Sequence, residues 1–205
     1  MSKVAICMAD GCEEIEGLTV VDVLRRGGMD IDTVSISGDP YVTGSHNIAF
    51  CADKLISELN WADYDGIVLP GGIPGTPNLA ASPAVTDALK LFDAEGKLIA
   101  AICAAPSVLG QIGLLEGRDA TSYPGFAEKM PGCNYKTDAV VRDGNIITSR
   151  GMGTAIEFAL AIVEYFSDHE TAVALGDKFI YSYGAQEILI ISNYIFPYYV
   201  HTSIR

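Results

Sequence analysis

Positive charge is scarce in this chain. Lysine and arginine number 13 against 26 aspartates and glutamates, a formal net charge of −13. Such a surface repels nucleic acid and anionic lipid, and no basic cluster overrides it. Histidine is scarcer still, with His46, His169 and His201 scattered so that no metal-ligand spacing arises. The cysteines Cys7, Cys12, Cys51, Cys103 and Cys133 are odd in number, widely spaced and without a Cys-x-x-Cys pair. That argues against a disulfide framework and for a reducing cytoplasm. The first residues, "MSKVAICMADGCEEIEG", turn acidic too early for a signal peptide. The apolar stretch "EILIISNYIFPYYV" (187–200) is shorter than the ~20 residues of a membrane span, and Pro197 interrupts it. It reads instead as an element packed on the domain or on a partner.

What the chain does have is alternation. "KVAICMA" (3–9), "DGIVLP" (65–70) and "KLIAAI" (97–102) are short apolar runs that predict buried strands, while "MDIDTVSI" (29–36) alternates and "HNIAFCAD" (46–53) is a weaker strand. Residues 14–27 carry helical spacing and stop at Gly27-Gly28. A second helix is predicted over 82–96, with Ser82 as cap and Pro83 at its first position. A third runs from Ala105 to about Ile112, and a fourth, 154–166, opens with Thr154 and Glu157 spaced as a capping box. "AVVRDGNIITS" (139–149) reads as a hairpin around Asp143-Gly144, and "RGMG" (150–153) as helix entry. Continuous apolar strands alternating with helices predict one α/β domain with a mostly parallel sheet covered on both faces. Ligands in such folds sit at the carboxyl ends of strands.

Three of those ends hold chemistry. Cys103 stands between a strand and the helix beginning "AAPSVL". It is either a small hydrophobe closing a core strand or a nucleophile on a tight turn, where the next helix's N-terminus favours a thiolate and lowers the thiol pKa. "LPGGIPG" (69–75) is a glycine-rich turn that lets backbone N–H groups approach a ligand, or a plain loop. It lacks the Gly-Lys-Ser/Thr ending of a phosphate loop. In "DGCEEIEGLTVVDVLRR", a helical wheel puts Val20, Val23 and Leu24 within about 80° of Glu16, with Asp22, Arg25 and Arg26 elsewhere. Glu16 is thus a desolvated carboxyl of raised pKa, or an acidic residue favoured by the helix dipole. Glu14 sits nearer the stripe's edge, and Glu13 precedes the regular helix.

From about Lys3 to about Ala174 these stretches resemble the ThiJ/PfpI superfamily, in its branch of the parkinsonism-associated protein deglycase (DJ-one) and bacterial relatives. The carrying motifs are "GCEEIEG" (11–17), "VVDVLRRGG" (20–28), "DGIVLPGG" (65–72), "LIAAICAAPSVL" (98–109) and "TSRGMGTAIEFALAIVE" (148–164). The resemblance implies a flavodoxin-like three-layer sandwich over residues 1–175, an unmatched tail over 176–205, and a homodimer. It makes Cys103 the elbow nucleophile and Glu16 a protonated acid bonded to its sulfur, with Gly71, Gly72 and Ala104 as oxyanion donors. The site histidine of many relatives is replaced by Tyr123, before Pro124, and Ala104 rather than histidine follows the cysteine, which leaves an amidase-like or protease-like dyad without local support.

The activity implied is a cofactor-free, metal-free glyoxalase or deglycase acting on methylglyoxal, glyoxal or early glycation adducts on protein or nucleotide. The alternative is a sensor of oxidative stress or a redox-regulated chaperone using the same cysteine. A thiamine-thiazole role finds no Lys or Arg cluster for phosphate near the three loops.

Overall fold

The computed structural model describes residues 2–181, so the apolar stretch 187–200 lies outside the described residues. β1 (Lys3–Met8) leads into α1 (Glu14–Arg26), and β2 (Asp30–Ser35) returns beside β1. A small hairpin of β3 (Tyr41–Thr43) and β4 (Ala49–Cys51) follows, then the short strand β5 (Lys54–Leu55). Next come β6 (Gly66–Leu69), α2 (Gly75–Ala80), α3 (Pro83–Ala94), β7 (Leu98–Ile102) and α4 (Pro106–Gln111). The strands β8 (Asp119–Ala120) and β9 (Asn134–Tyr135) pair with each other. The hairpin of β10 (Val140–Asp143) and β11 (Ile146–Ser149) precedes α5 (Ala155–Phe166) and α6 (His169–Lys178).

Seven strands form the main sheet in the order β10-β11-β7-β6-β1-β2-β5. All its pairings are parallel except β10 with β11. The apolar runs are continuous because both faces are covered. Val4, Ile6 and Met8 of β1, with Leu98, Ala100 and Ile102 of β7, face α1, α5 and α6. Ala5 and Cys7, with Ile67, Leu69, Ile99 and Ala101, face α3 and α4. Phe158 anchors the first layer and Phe92 the second, both wholly buried. Each such side chain contributes about 1.5–3 kcal/mol by leaving water.

The chain moves from β1 outward to β2, then crosses to the other side of β1 to place β6, β7 and β11. This reversal leaves a crevice at the carboxyl ends of β1 and β6, with the end of β7 beside it.

Several expected details differ. The weak strand 46–53 shrinks to β4, which pairs with β3 outside the main sheet. The glycine-rich turn after β6 winds into α2, which was not expected. Ser82 stands at its cap position but makes no side-chain cap bond. The capping box at α5 does not form. Thr154 Oγ1 is engaged with Ser149 Oγ at 2.6 Å and Gly151 O at 2.9 Å, and Glu157 Oε2 accepts from the Tyr181 hydroxyl. α6 runs from His169 to Lys178, a helix that the sequence reading does not place. No helix of the described residues is long and apolar enough to cross a membrane.

Candidate active site

The helix α1 begins with its own acid as cap. Glu13 accepts the Glu16 N–H at 2.8 Å, which fixes the first turn and aims the Glu16 side chain inward. Glu16 is 1% exposed. Its Oε2 accepts the Gly71 N–H at 2.9 Å, and the carboxyl is hydrogen-bonded to the Cys103 side chain.

Cys103 follows the last residue of β7 with φ of +65°. A side chain in this left-handed region costs about 1–2 kcal/mol, and the surroundings hold it there. The Cys103 N–H donates to Ser149 O at 2.9 Å, and Cys103 O accepts the Tyr123 N–H at 2.8 Å. Two backbone N–H groups, of Ala104 and Gly72, donate to the sulfur. Of the three expected oxyanion donors, therefore, Gly72 and Ala104 face the sulfur, whereas the Gly71 N–H is committed to Glu16. Gly71 matters through its size. A Cβ there would lie 2.6 Å from Cys103 Cβ and 2.7 Å from Glu16 Oε2, inside both groups. Gly72, at φ of +95°, makes the turn.

Burial pushes the Glu16 carboxyl up to about 7, against the bonds from Cys103 and Gly71 that favour its ionised form. Burial thus favours the protonated form of Glu16 relative to an exposed glutamate. Burial also pushes the Cys103 thiol up to about 12, reinforced by the charge and hydrogen bond of Glu16, while the Ala104 and Gly72 N–H groups pull it down. The net direction is upward, opposite to the lowering that a helix N-terminus alone would give. The helix that was to lower it is only the six-residue α4, and burial beside a carboxylate outweighs its dipole. The two groups nevertheless titrate as a unit. Protonating Glu16 removes the repulsion and turns the carboxyl into a donor. One negative charge then has two homes: the carboxylate, with the Gly71 N–H and the thiol as donors, or the sulfur, with two N–H groups and the protonated carboxyl.

Tyr123 is half-exposed. A Cβ on Gly151 would lie 3.4 Å from the Tyr123 ring and 3.9 Å from Glu16 Oε1, so the ring stands across Gly151 from the carboxyl. Neither described histidine is engaged at the site. His169 Nδ1 lies 3.0 Å from Glu164, and His46 is bound to Glu14.

The sequence reading missed the company of Glu14. The β3–β4 hairpin folds over the start of α1, where Glu14 accepts the His46 N–H at 2.8 Å and contacts His46 Nδ1 at 3.0 Å. Burial opposes ionisation of Glu14, but the bonds to His46 prevail and hold it down to about 2. Ligand atoms of Glu13, Glu14 and His46 lie within 4.8 Å of one another, the one set among the described residues that could hold a metal ion. The Glu13 oxygen is already the cap of α1 and those of Glu14 already serve His46, so the cluster is accounted for as a cap and an ion pair.

Comparison with known proteins accords with this geometry. The DJ-1/PfpI family model matches residues 2–165, and the chain belongs to that family. It is 42% identical over 176 residues to Protein DJ-1 homolog B of Arabidopsis thaliana, covering 85% of this chain and 40% of that one, so it spans less than half of that relative's length. It is 42% identical to the Parkinson disease protein 7 homolog of Danio rerio, over 83% of this chain and 92% of that one. The Glutathione-independent glyoxalase DJR-1.2 of Caenorhabditis elegans is 36% identical, over 85% and 93%. Among solved structures, oxidized Toxoplasma gondii DJ-1 superposes with a TM-score of 0.86 at 39% identity, covering 89% of this chain and 100% of that one. The family and the sandwich expected from the motifs are thereby shown.

Proposed function

We propose that this protein is a cofactor-independent glyoxalase or deglycase-type enzyme that converts small 2-oxoaldehydes to 2-hydroxy acids at Cys103. The observation that carries the reading is the hydrogen-bonded pair of Cys103 and Glu16, with the Gly72 and Ala104 N–H groups aimed at the sulfur. The relative named as a glutathione-independent glyoxalase supports it.

The arrangement supplies each step. The Cys103 thiolate adds to the aldehyde carbon of methylglyoxal, and the new oxyanion takes the proton held by Glu16, giving a hemithioacetal. The Glu16 carboxylate then removes the hydrogen on that carbon as a proton, leaving an enediol as the ketone oxygen is protonated. It returns the proton to the adjacent carbon as the hydroxyl on the first carbon gives up its own proton and becomes the thioester carbonyl. The first carbon is oxidised to a thioester and the second reduced to a secondary alcohol. Water cleaves the thioester to lactate and regenerates the thiol. Gly72 and Ala104 stabilise the oxyanions. A carboxyl of pKa about 7 is poised to both give and take protons near neutrality. With no histidine among the described residues engaged at the site, this one group serves the transfers to and from carbon, so turnover is slow. Lactate measured by NMR with metal-free protein tests the reading. Production above buffer background, lost in Cys103→Ser, supports it, and production at background refutes it.

A second reading rests on the same pair. The half-buried sulfur faces two N–H donors and a carboxyl that can donate a third bond. Peroxide would oxidise the thiolate to sulfenate and water, and a second peroxide would give sulfinate, held by those donors. The relative solved in oxidized form supports this sensing role. Selective Cys103 sulfinate in peptide mass spectrometry, with no lactate, favours it over catalysis.

A further inference from the structure

A groove of about 350 Å³ opens between α2, α4 and the segment 126–129, and neither Cys103 nor Glu16 is among its walls. Its volume is at the lower end of small-molecule sites, about 300–1,000 Å³. Four polar side chains line it; Gln111 is exposed at its edge, and the other three each have capacity left over. Thr76 is 3% exposed, and its hydroxyl oxygen is buried without a hydrogen-bond partner. Ser107, 1% exposed, spends its proton on Ala104 O at 2.7 Å and keeps its lone pairs as acceptors. Lys129 is exposed at the rim, its ammonium 4.7 Å from the centroid of the Phe126 ring. In a chain of net charge −13, Lys129 has no ion pair among the described residues. Between these groups the walls are apolar, formed by Ile73, Pro77, Ala80 and the Phe126 ring.

A buried hydroxyl without a partner is a cost that folded proteins rarely leave standing, and a groove beside it offers a remedy. The ligand that answers all three groups has an anion for Lys129, a hydroxyl for Thr76 and Ser107, and an apolar body for the walls. We propose that this groove is a second binding site, distinct from the thiol, for a hydroxy monocarboxylate with an aromatic or branched aliphatic body. The carboxylate lies against the Lys129 ammonium. A change of χ1 rotamer at Thr76 brings its buried hydroxyl to a ligand oxygen as donor, and Ser107 accepts the ligand hydroxyl. The site abuts the donor turn of the thiol. The Thr76 N–H donates to Gly72 O at 2.9 Å, and Ser107 hangs from Ala104 O.

Calorimetric titration with 3-phenyllactate, and with 3-phenyl-1,2-propanediol as its uncharged counterpart, tests the assignment. The acid should bind wild type and Cys103→Ser alike. Lys129→Met should weaken the acid about fivefold, as expected for an exposed charge pair, and leave the diol unchanged. Thr76→Val should weaken both, yet leave the ligand-free Tm equal or higher, because it removes an unpaired hydroxyl without changing shape. Absence of saturable binding at millimolar acid, equal affinity in Lys129→Met, loss of binding in Cys103→Ser, or a lowered Tm in Thr76→Val would each overturn the proposal.

Discussion

Replacing Glu16 by glutamine probes the feature on which the site depends, the cost of ionising a carboxyl that is 1% exposed. Burial raises this group from 4.5 to about 7, and at ~1.36 kcal/mol per pKa unit the shift corresponds to roughly 3 kcal/mol. The sign follows from proton binding. Between pH 4.5 and 7 the folded state keeps a proton that the unfolded chain has released, so wild-type stability falls as pH rises through this window and levels off above it. Glutamine has no charge to bury and does not show the fall. Cys103→Ser and Cys103→Ser/Glu16→Gln should be compared, so that no thiol titration enters at this position. Urea unfolding from pH 5 to pH 9 should show the glutamine variant gaining roughly 2–3 kcal/mol relative to its parent, most of it by pH 8. Parallel curves would refute the reasoning, because Glu16 would then be no harder to ionise in the folded protein than in the unfolded chain.

Gly71→Ala places a methyl group inside both Cys103 and Glu16. It should cost about 1–3 kcal/mol by overpacking and reduce lactate formation at least ~100-fold by displacing the pair; activity within twofold of wild type would contradict the geometry. Glu14 is held down to about 2 by His46, so its contribution is complete above pH 4.5 and lost as pH falls toward 2. His46→Ala should therefore move the acid-unfolding midpoint to higher pH, and an unmoved midpoint in a circular-dichroism titration would show that the ion pair contributes nothing. Ile15 and Leu18 are exposed on α1, and Met152 and Ile156 around the start of α5, so we expect two copies to associate through this apolar face. Light scattering at micromolar concentration should give twice the 21.8 kDa of one chain, and a single-chain mass would exclude the association.

The layers were legible in the sequence because each is written locally. The apolar runs at 65–70 and 97–102 read as buried strands, and the wheel placed Glu16 on the stripe that α1 buries. The elbow was legible as a position, but not as a backbone conformation. The φ of Cys103 is imposed by Ser149 and Tyr123, distant in sequence. The surroundings of the thiol were hidden for the same reason: the neighbouring helix is local, but the burial of the sulfur and a carboxyl 87 positions earlier in the chain are not. The pairing of Glu14 with His46 depends on a hairpin whose first strand carries too few residues to declare itself. At α5, the spacing of Thr154 and Glu157 satisfied the rule for a cap, but tertiary partners claimed both side chains.

The left-handed backbone at Cys103 also bears on how such a chain can drift. The strain resides in the main chain, so serine or alanine at this position would inherit it along with the loss of the sulfur. Glycine would relieve it most fully, a gain of about 1–2 kcal/mol in backbone strain against the 5–15 kcal/mol by which a domain of ordinary stability stays folded. Random substitution therefore has a direction here. A lineage released from any need for the thiol has a one-residue route to a more stable protein, and selection for stability alone would take it. Cysteine at this turn forgoes that relief and keeps the sulfur beside Glu16.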